Sequence, residues 1–298
     1  MSIRIDDDGV GALSIRDGDV ELVRYTYVPD TVQFESPKPY LHPIRTRAGR
    51  LVSLFRPWDH VWHKGIAWSL PVVGDENFWG GVTYVNGQGY VQLPNNGAQV
   101  HQGGGASTDG TSASYAHDLQ WIAEDGRRLF AEQRQLGAHI LDDTAWALTF
   151  DTALTNVSDE SIPIGSPTTR GRENAGYGGL FWRGPRSFTD GLVVTEGARG
   201  TGDDLRGQRH AWMGYVGRHD DIDEQSLVVM VDDPRNPQHP PQWFVRSEPF
   251  ACLNPAPFFS EELVVAPGET VRFRYAVAIA DAGADAAPAL AAAAGTVL

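Results

Sequence analysis

Residues 129–141, LFAEQRQLGAHIL, and residues 143–164, DTAWALTFDTALTNVSDESIPI, decide the fold. In both, apolar and polar side chains alternate or nearly do, which puts one set on each face of an extended strand. The same texture continues outward. Residues 11–28, GALSIRDGDVELVRYTYV, read as two strands joined at Asp17–Gly18, and residues 80–93, GGVTYVNGQGYVQL, turn at Asn86–Gly87. RAGRLVSLF at 47–55 reads as another strand, as do Ala211–Val216, Ser226–Val231 and Trp243–Ser247. Residues 261–281 read as strand, Pro-Gly-Glu turn, strand. Helical periodicity is weak except in the Ala-rich tail, where Ala282–Ala294 is the one candidate helix within a tail of about 282–298.

The 33 glycines and 19 prolines supply the turns that so many strands need. The glycine-rich run from Gly103 to Ser112 reads as a surface loop, and no linker or repeat divides the chain. These features predict an all-β protein: one large antiparallel β-sandwich domain over 1–298, with long loops at one end free to carry chemistry.

A net charge of −14 argues against nucleic acid as a partner, because that backbone needs a basic face. The chain lacks an apolar run long enough for a membrane helix, and its N-terminal stretch does not read as a signal peptide. The single cysteine, Cys252, precludes an intrachain disulfide and fits a cytoplasmic protein. Its apolar neighbours point to a buried, inert thiol. HExxH, CxxC, GxSxG and the dinucleotide-binding glycine pattern are all missing, so those chemistries start low.

Polar and aromatic residues crowd in four places. Arg56-Pro-Trp-Asp-His60-Val-Trp62-His63-Lys-Gly65 holds two histidines with the intrinsic pKa of a general acid or base. Asp75-Glu76-Asn77-Phe-Trp79-Gly-Gly81 sets carboxylate and amide beside aromatic rings, the groups that grip hydroxyls and the C–H faces of a sugar. Arg170-Gly-Arg-Glu173-Asn-Ala-Gly-Tyr177 adds cations and a phenol, and the proline-rich 235–265 stretch, with Trp243 and Phe244, reads as the wall of a cleft or the cover of a sheet edge. His42 lies upstream, between Leu41 and Pro43.

The blocks Arg56–Gly65 and Glu76–Gly81, with Leu41-His42-Pro43, Gly176–Leu180 and Pro267–Thr270, resemble a bacterial family labelled "methane oxygenase PmoA", over about Pro37 to Gly283. Methane oxidation of the particulate kind implies a membrane metalloenzyme, which this chain without a membrane span does not match. What the resemblance implies instead is a supersandwich similar to the galactose-mutarotase-like fold, in a setting of carbohydrate metabolism.

Three functions compete. The leading expectation is a metal-independent carbohydrate-active enzyme, a glycoside hydrolase or sugar isomerase, taking a small saccharide or glycoside. His60 or His63 would move the proton and Glu76 would be the complementary carboxylate. His42, Arg56, Asn77, Arg170, Glu173 and Tyr177 would orient hydroxyls, while Trp62 or Trp79 stacks on the ring. The first alternative is a divalent metal site built from His42, His60, His63 and Glu76, suited to zinc or non-haem iron. The second is a non-catalytic sugar-binding domain, for which nine tryptophans would suffice. The acid–base reading requires His60, His63 and Glu76 to meet in one pocket.

Overall fold

The computed structural model describes residues 3–298; Met1 and Ser2, the start of the N-terminal stretch considered above, lie outside it. The alternating segments become the centre of a nine-stranded antiparallel sheet. Its order is Arg199–Gly200, Leu192–Val194, Trp212–Arg218, Gln225–Asp232, Thr270–Ala280, Ala145–Asn156, Arg128–Ile140, Ser112–Ile122 and Ala98–Thr108. An eight-stranded sheet faces it: Ile3–Asp7, Ala12–Asp17, Val20–Thr26, Tyr40–Ile44, Ile66–Ser69, Gly179–Arg183, Cys252–Ala256 and Gln242–Arg246.

The sheets meet through large side chains. Trp68 of the eight-stranded sheet packs on Phe150, Phe273 and Tyr275 of the other, and Trp182 packs on Tyr215. The expected all-β antiparallel sandwich is therefore present. All three expected turns form: Gly18, Gly87 and Gly268 have φ of +57°, +79° and +75°, and the Asn86–Gly87 hairpin pairs Thr83–Val85 with Gly89–Val91.

Three local expectations need correction. The glycine run from Gly103 is mostly strand, since Ala98–Thr108 pairs with Ser112–Ile122 at the sheet edge. Its glycines are needed there: a Cβ on Gly104 would stand 2.5 Å from that of His117. RAGRLVSLF forms only isolated bridges, Arg45 to Leu51 and Phe55 to Lys64, because Pro57 and the turns after it end any ladder. The tail helix covers Ala287–Gly295 rather than starting at Ala282, and lays Ala287, Leu290, Ala291 and Ala294 on the outer face of the nine-stranded sheet. Among the described residues no helix is long and apolar enough to cross a membrane.

Candidate functional site

The site grows from the period of two in the eight-stranded sheet. Leu180, Trp182, Trp243, Val245 and Leu253 point into the core between the sheets. Their neighbours Phe181, Phe244 and Cys252 therefore face outward, into a second apolar cluster with Trp79 and Phe250. Arg183 and Arg246 share that outward parity. The register places both directly opposite Cys252, one on each side. The site is thus on the outer face of a sheet, covered by loops, and not at the sandwich end where loops were expected.

A cavity of about 350 Å³ opens there, walled by the rings of Trp62, Trp79, Tyr90, Tyr177, Phe181, Phe244 and Phe250. Polar groups come from His60, His63, Arg172 and Arg246, and no carboxylate is among the lining residues. Cys252 beneath it is fully buried, and burial pushes its thiol up to about 11, which keeps it inert.

Two successive turns bring the histidines in. His60 N–H donates to the Pro57 carbonyl and His63 N–H to the His60 carbonyl. The imidazoles then stack, with centroids 4.7 Å apart and planes 17° apart. Gly65 ends the loop at φ +66°, where any Cβ would collide with the Leu41 carbonyl.

The two rings have different neighbours. Arg183 Nη1 lies 3.1 Å from His63 Nδ1. Guanidinium has only donors, so Nδ1 accepts and the imidazole proton sits on Nε2. Burial, with His60, Arg183 and Lys38 nearby, holds His63 well below the usual histidine pKa, so it is neutral. His60 is held down by burial against the pull of Asp59, whose Oδ2 lies 3.1 Å from His60 Nδ1 without hydrogen-bond alignment. Burial opposes ionisation of Asp59 itself, but His60 and Arg183 outweigh it and keep that carboxyl low. Arg186 also pairs with it.

The floor beneath is ionic. Glu35 accepts from Arg56 and from buried Lys64. Lys38 Nζ donates to the carbonyls of Glu35, Ser36 and Trp79 at 2.8–3.0 Å. Burial and Lys64 push Lys38 well below the ordinary lysine value, yet three acceptors take all three ammonium protons and favour the charged form. Asn77 Oδ1 accepts from the N–H groups of Trp79 and Gly80, folding the loop that presents the Trp79 ring.

The structure therefore brings together only part of the expected set. His60, His63, Trp62, Trp79 and Tyr177 line the cavity. Glu76 does not: it pairs with Arg127 at 2.8 Å and lines a separate groove, so the convergence required above fails. His42 bonds Ser53 and stacks on Phe55, and burial followed by Arg45 lowers it to about 4. Arg56 is committed to Glu35, Asn77 to its turn, and Arg170 to Glu262 and the Gly74 carbonyl. Glu173 is exposed and outside the lining.

The four proposed metal donors are likewise scattered. Among the described residues no group of three or more His, Cys, Asp or Glu could hold a metal ion. The sequence reading passed over Phe181, Tyr90, Arg246 and Phe250. The signal was a Phe-x-Arg step in two strands, Phe181-Trp-Arg183 and Phe244-Val-Arg246, which sets ring and cation on one face.

Comparison with known proteins adds little chemistry. Among solved structures, a TPR-domain containing protein from Parabacteroides distasonis is similar at 13% identity and a TM-score of 0.37, covering 92% of this chain. The chain spans about half of that protein, 48% of its length. A GalM/aldose epimerase homologue from C. elegans is similar at 9% identity and a TM-score of 0.27, with 94% of this chain and 99% of that one covered. At those scores neither neighbour carries an assignment of ligand or activity. No curated protein matches the chain. The methane-oxygenase label finds no support in any of these comparisons. One family model matches residues 12–294, nearly the whole chain, and the protein belongs to that family, a family of unknown function (DUF6807).

Proposed function

We propose that the aromatic cavity binds the ring of a saccharide and that His60 moves a proton on it, in an isomerisation rather than a hydrolysis. The observation that carries this reading is that seven aromatic rings wall a 350 Å³ space onto which two neutral, stacked histidines open. Rings of this kind cover the apolar C–H faces of a sugar.

His60, with Asp59 beside Nδ1, is the base: burial keeps its imidazole neutral and able to take a proton, and Asp59 steadies the imidazolium until that proton is returned. His63, with its proton on Nε2, donates to a ligand hydroxyl or to an oxygen gaining negative charge. Paired carboxylates, the usual equipment for cleaving a glycosidic bond, are missing from the lining, which favours isomerisation.

The test is a thermal-shift screen of monosaccharides and disaccharides, followed by NMR exchange measurements on every sugar that stabilises the protein. His60→Gln is expected to slow ring-proton or anomer exchange by about 10²–10⁴-fold with the midpoint of unfolding unchanged. If no sugar raises the midpoint, or if His60→Gln exchanges as fast as the parent, the reading is wrong.

A further inference from the structure

We propose that the ligand of this cavity is an anion, a sugar acid whose carboxylate is gripped by Arg246 and Arg172. The inference rests on the saccharide reading above and names the substrate class within it.

The argument is one of uncompensated charge. In a chain of net charge −14, most exposed arginines should have an acidic partner. Arg127, Arg186, Arg199, Arg235 and Arg272 all do, while exposed Arg128, Arg209 and Arg218, which form no ion pair among the described residues, lie away from the cavity. Arg246 and Arg172, the two that line the cavity, do not form an ion pair with any described residue. Arg172 donates only to the Tyr90 hydroxyl, and its guanidinium lies 4.7 Å from the centre of that ring. Arg246 makes no side-chain hydrogen bond with any described residue; its guanidinium sits 5.4 Å from the Phe244 ring and 6.0 Å from Phe250.

The surroundings keep them unpaired. Asp203, an acid within electrostatic reach of Arg246, is engaged by Arg206. Burial, Arg206 and Arg172 all act to destabilise the charge on Arg246. Behind the histidines Arg183 adds another cation, fully buried, answered only by Asp59 at 3.8 Å among the described residues and with Nε and Nη2 lacking hydrogen-bond partners there. Its guanidinium lies 3.7 Å from the Phe250 ring, on the far side of the cavity wall. A neutral sugar would leave this repulsion unrelieved. A carboxylate relieves it and supplies the planar, two-oxygen acceptor that guanidinium matches. Phosphate would satisfy the charge equally, but two histidines and seven rings favour a ligand whose bulk is a sugar ring.

The Tyr90–Tyr177 pair completes the clamp. Their hydroxyls are 2.9 Å apart, so Arg172, Tyr90 and Tyr177 form one chain along the cavity rim. Burial raises Tyr177 well above the usual tyrosine value, followed by the effect of Tyr90, so it stays a neutral donor.

The experiment is titration calorimetry at low and moderate salt with D-glucuronate, D-galacturonate and D-mannuronate, their neutral parent hexoses, glucuronamide, benzoate and inorganic phosphate. The expected result is that at least one uronate binds about 10–100-fold more tightly than its parent and than the amide. Arg246→Gln should erase that gap, Arg246→Lys should keep part of it, and added salt should narrow it. Arg172→Gln serves as a second variant should Arg246→Gln fail to fold. Neutral hexose binding equal to uronate, with no change in either variant, overturns the sugar-acid inference and leaves the saccharide reading standing. Binding of benzoate or phosphate that depends on Arg246, with no sugar bound, overturns the saccharide reading and with it the sugar acid, leaving an anion site. No binding by any of these probes overturns both.

Discussion

Between pH 6.5 and 5 the protein is expected to lose about 2 kcal/mol of stability through the buried His117, and buried His63 acts in the same direction. His117 lies between the sheets, its Nε2 2.9 Å from the Tyr25 hydroxyl and its Nδ1 3.0 Å from His101. Burial is the main cause of its depression to about 2, with Arg134 and His101 adding to it. His63 is depressed in the same direction. The sign follows from the proton balance. In the unfolded chain each imidazole binds a proton near pH 6.5, while the folded protein refuses it. Stability is therefore complete above that value and falls as pH falls, until the folded pKa is reached.

Asp232 works against this trend, because burial raises its carboxyl to about 6 against the opposing pull of Asn236 and His239, and the folded state gains a proton there. The measure is consequently a difference between variants. Proton uptake on unfolding at pH 5.5, read from calorimetric enthalpies in two buffers, should be about one proton smaller in His117→Gln than in the parent. Equal uptake in the two proteins would mean that His117 is not held neutral by the fold.

That histidine also shows what the sequence could and could not disclose. In Ser112–Ile122 the alternation is plain, and it assigns His117 to the same face as Tyr115, Leu119 and Trp121. The strands, their turns and the sandwich are legible for that reason: period two is a local property, written within each segment. Which strand neighbours which is not local. The parity that sends Phe181, Arg183, Phe244 and Arg246 outward is readable. That the two strands flank Cys252–Ala256 and so build one wall is set by the pairing of Arg183 with Cys252, 69 residues further along the chain.

Glu76 is the counterpart error. It stands three residues from Trp79, yet the turn held by Asn77 redirects the chain between them. Sequence proximity to a site residue said nothing of direction. The glycine-rich edge strand misleads for another reason: composition suggested a surface loop, but the facing His117 Cβ and Ala116 carbonyl leave room only for glycine at Gly104.

Glu132→Leu alone should cost about 3–5 kcal/mol, and adding Arg134→Met should return a good part of it. Both side chains are completely buried between the sheets. Glu132 accepts from Arg134 Nε at 2.7 Å and Nη2 at 2.9 Å, from Trp121 Nε1 at 2.7 Å and from Thr152 Oγ1 at 2.7 Å. Arg134 in turn donates to Gln99 and to the Tyr25 hydroxyl of the opposite sheet. Removing the carboxylate leaves a guanidinium in an apolar interior with its charge unanswered, which is the costly state. Removing both ions replaces a desolvated pair by apolar volume, so the double variant should be more stable than the sum of the single changes by about 2 kcal/mol or more.

The network also bears on the cavity. Gln99 donates to the Trp68 carbonyl at 2.9 Å, in the strand Ile66–Ser69 that directly follows the His60–His63 loop. Loosening it in Glu132→Leu should therefore also weaken whatever stabilisation a cavity ligand confers, while the double variant recovers both. Denaturant unfolding of the four proteins, with and without ligand, reads the two effects separately. Additive single costs would mean that the pair is not coupled. A ligand effect unchanged in Glu132→Leu would mean that the inter-sheet network does not support the histidine loop.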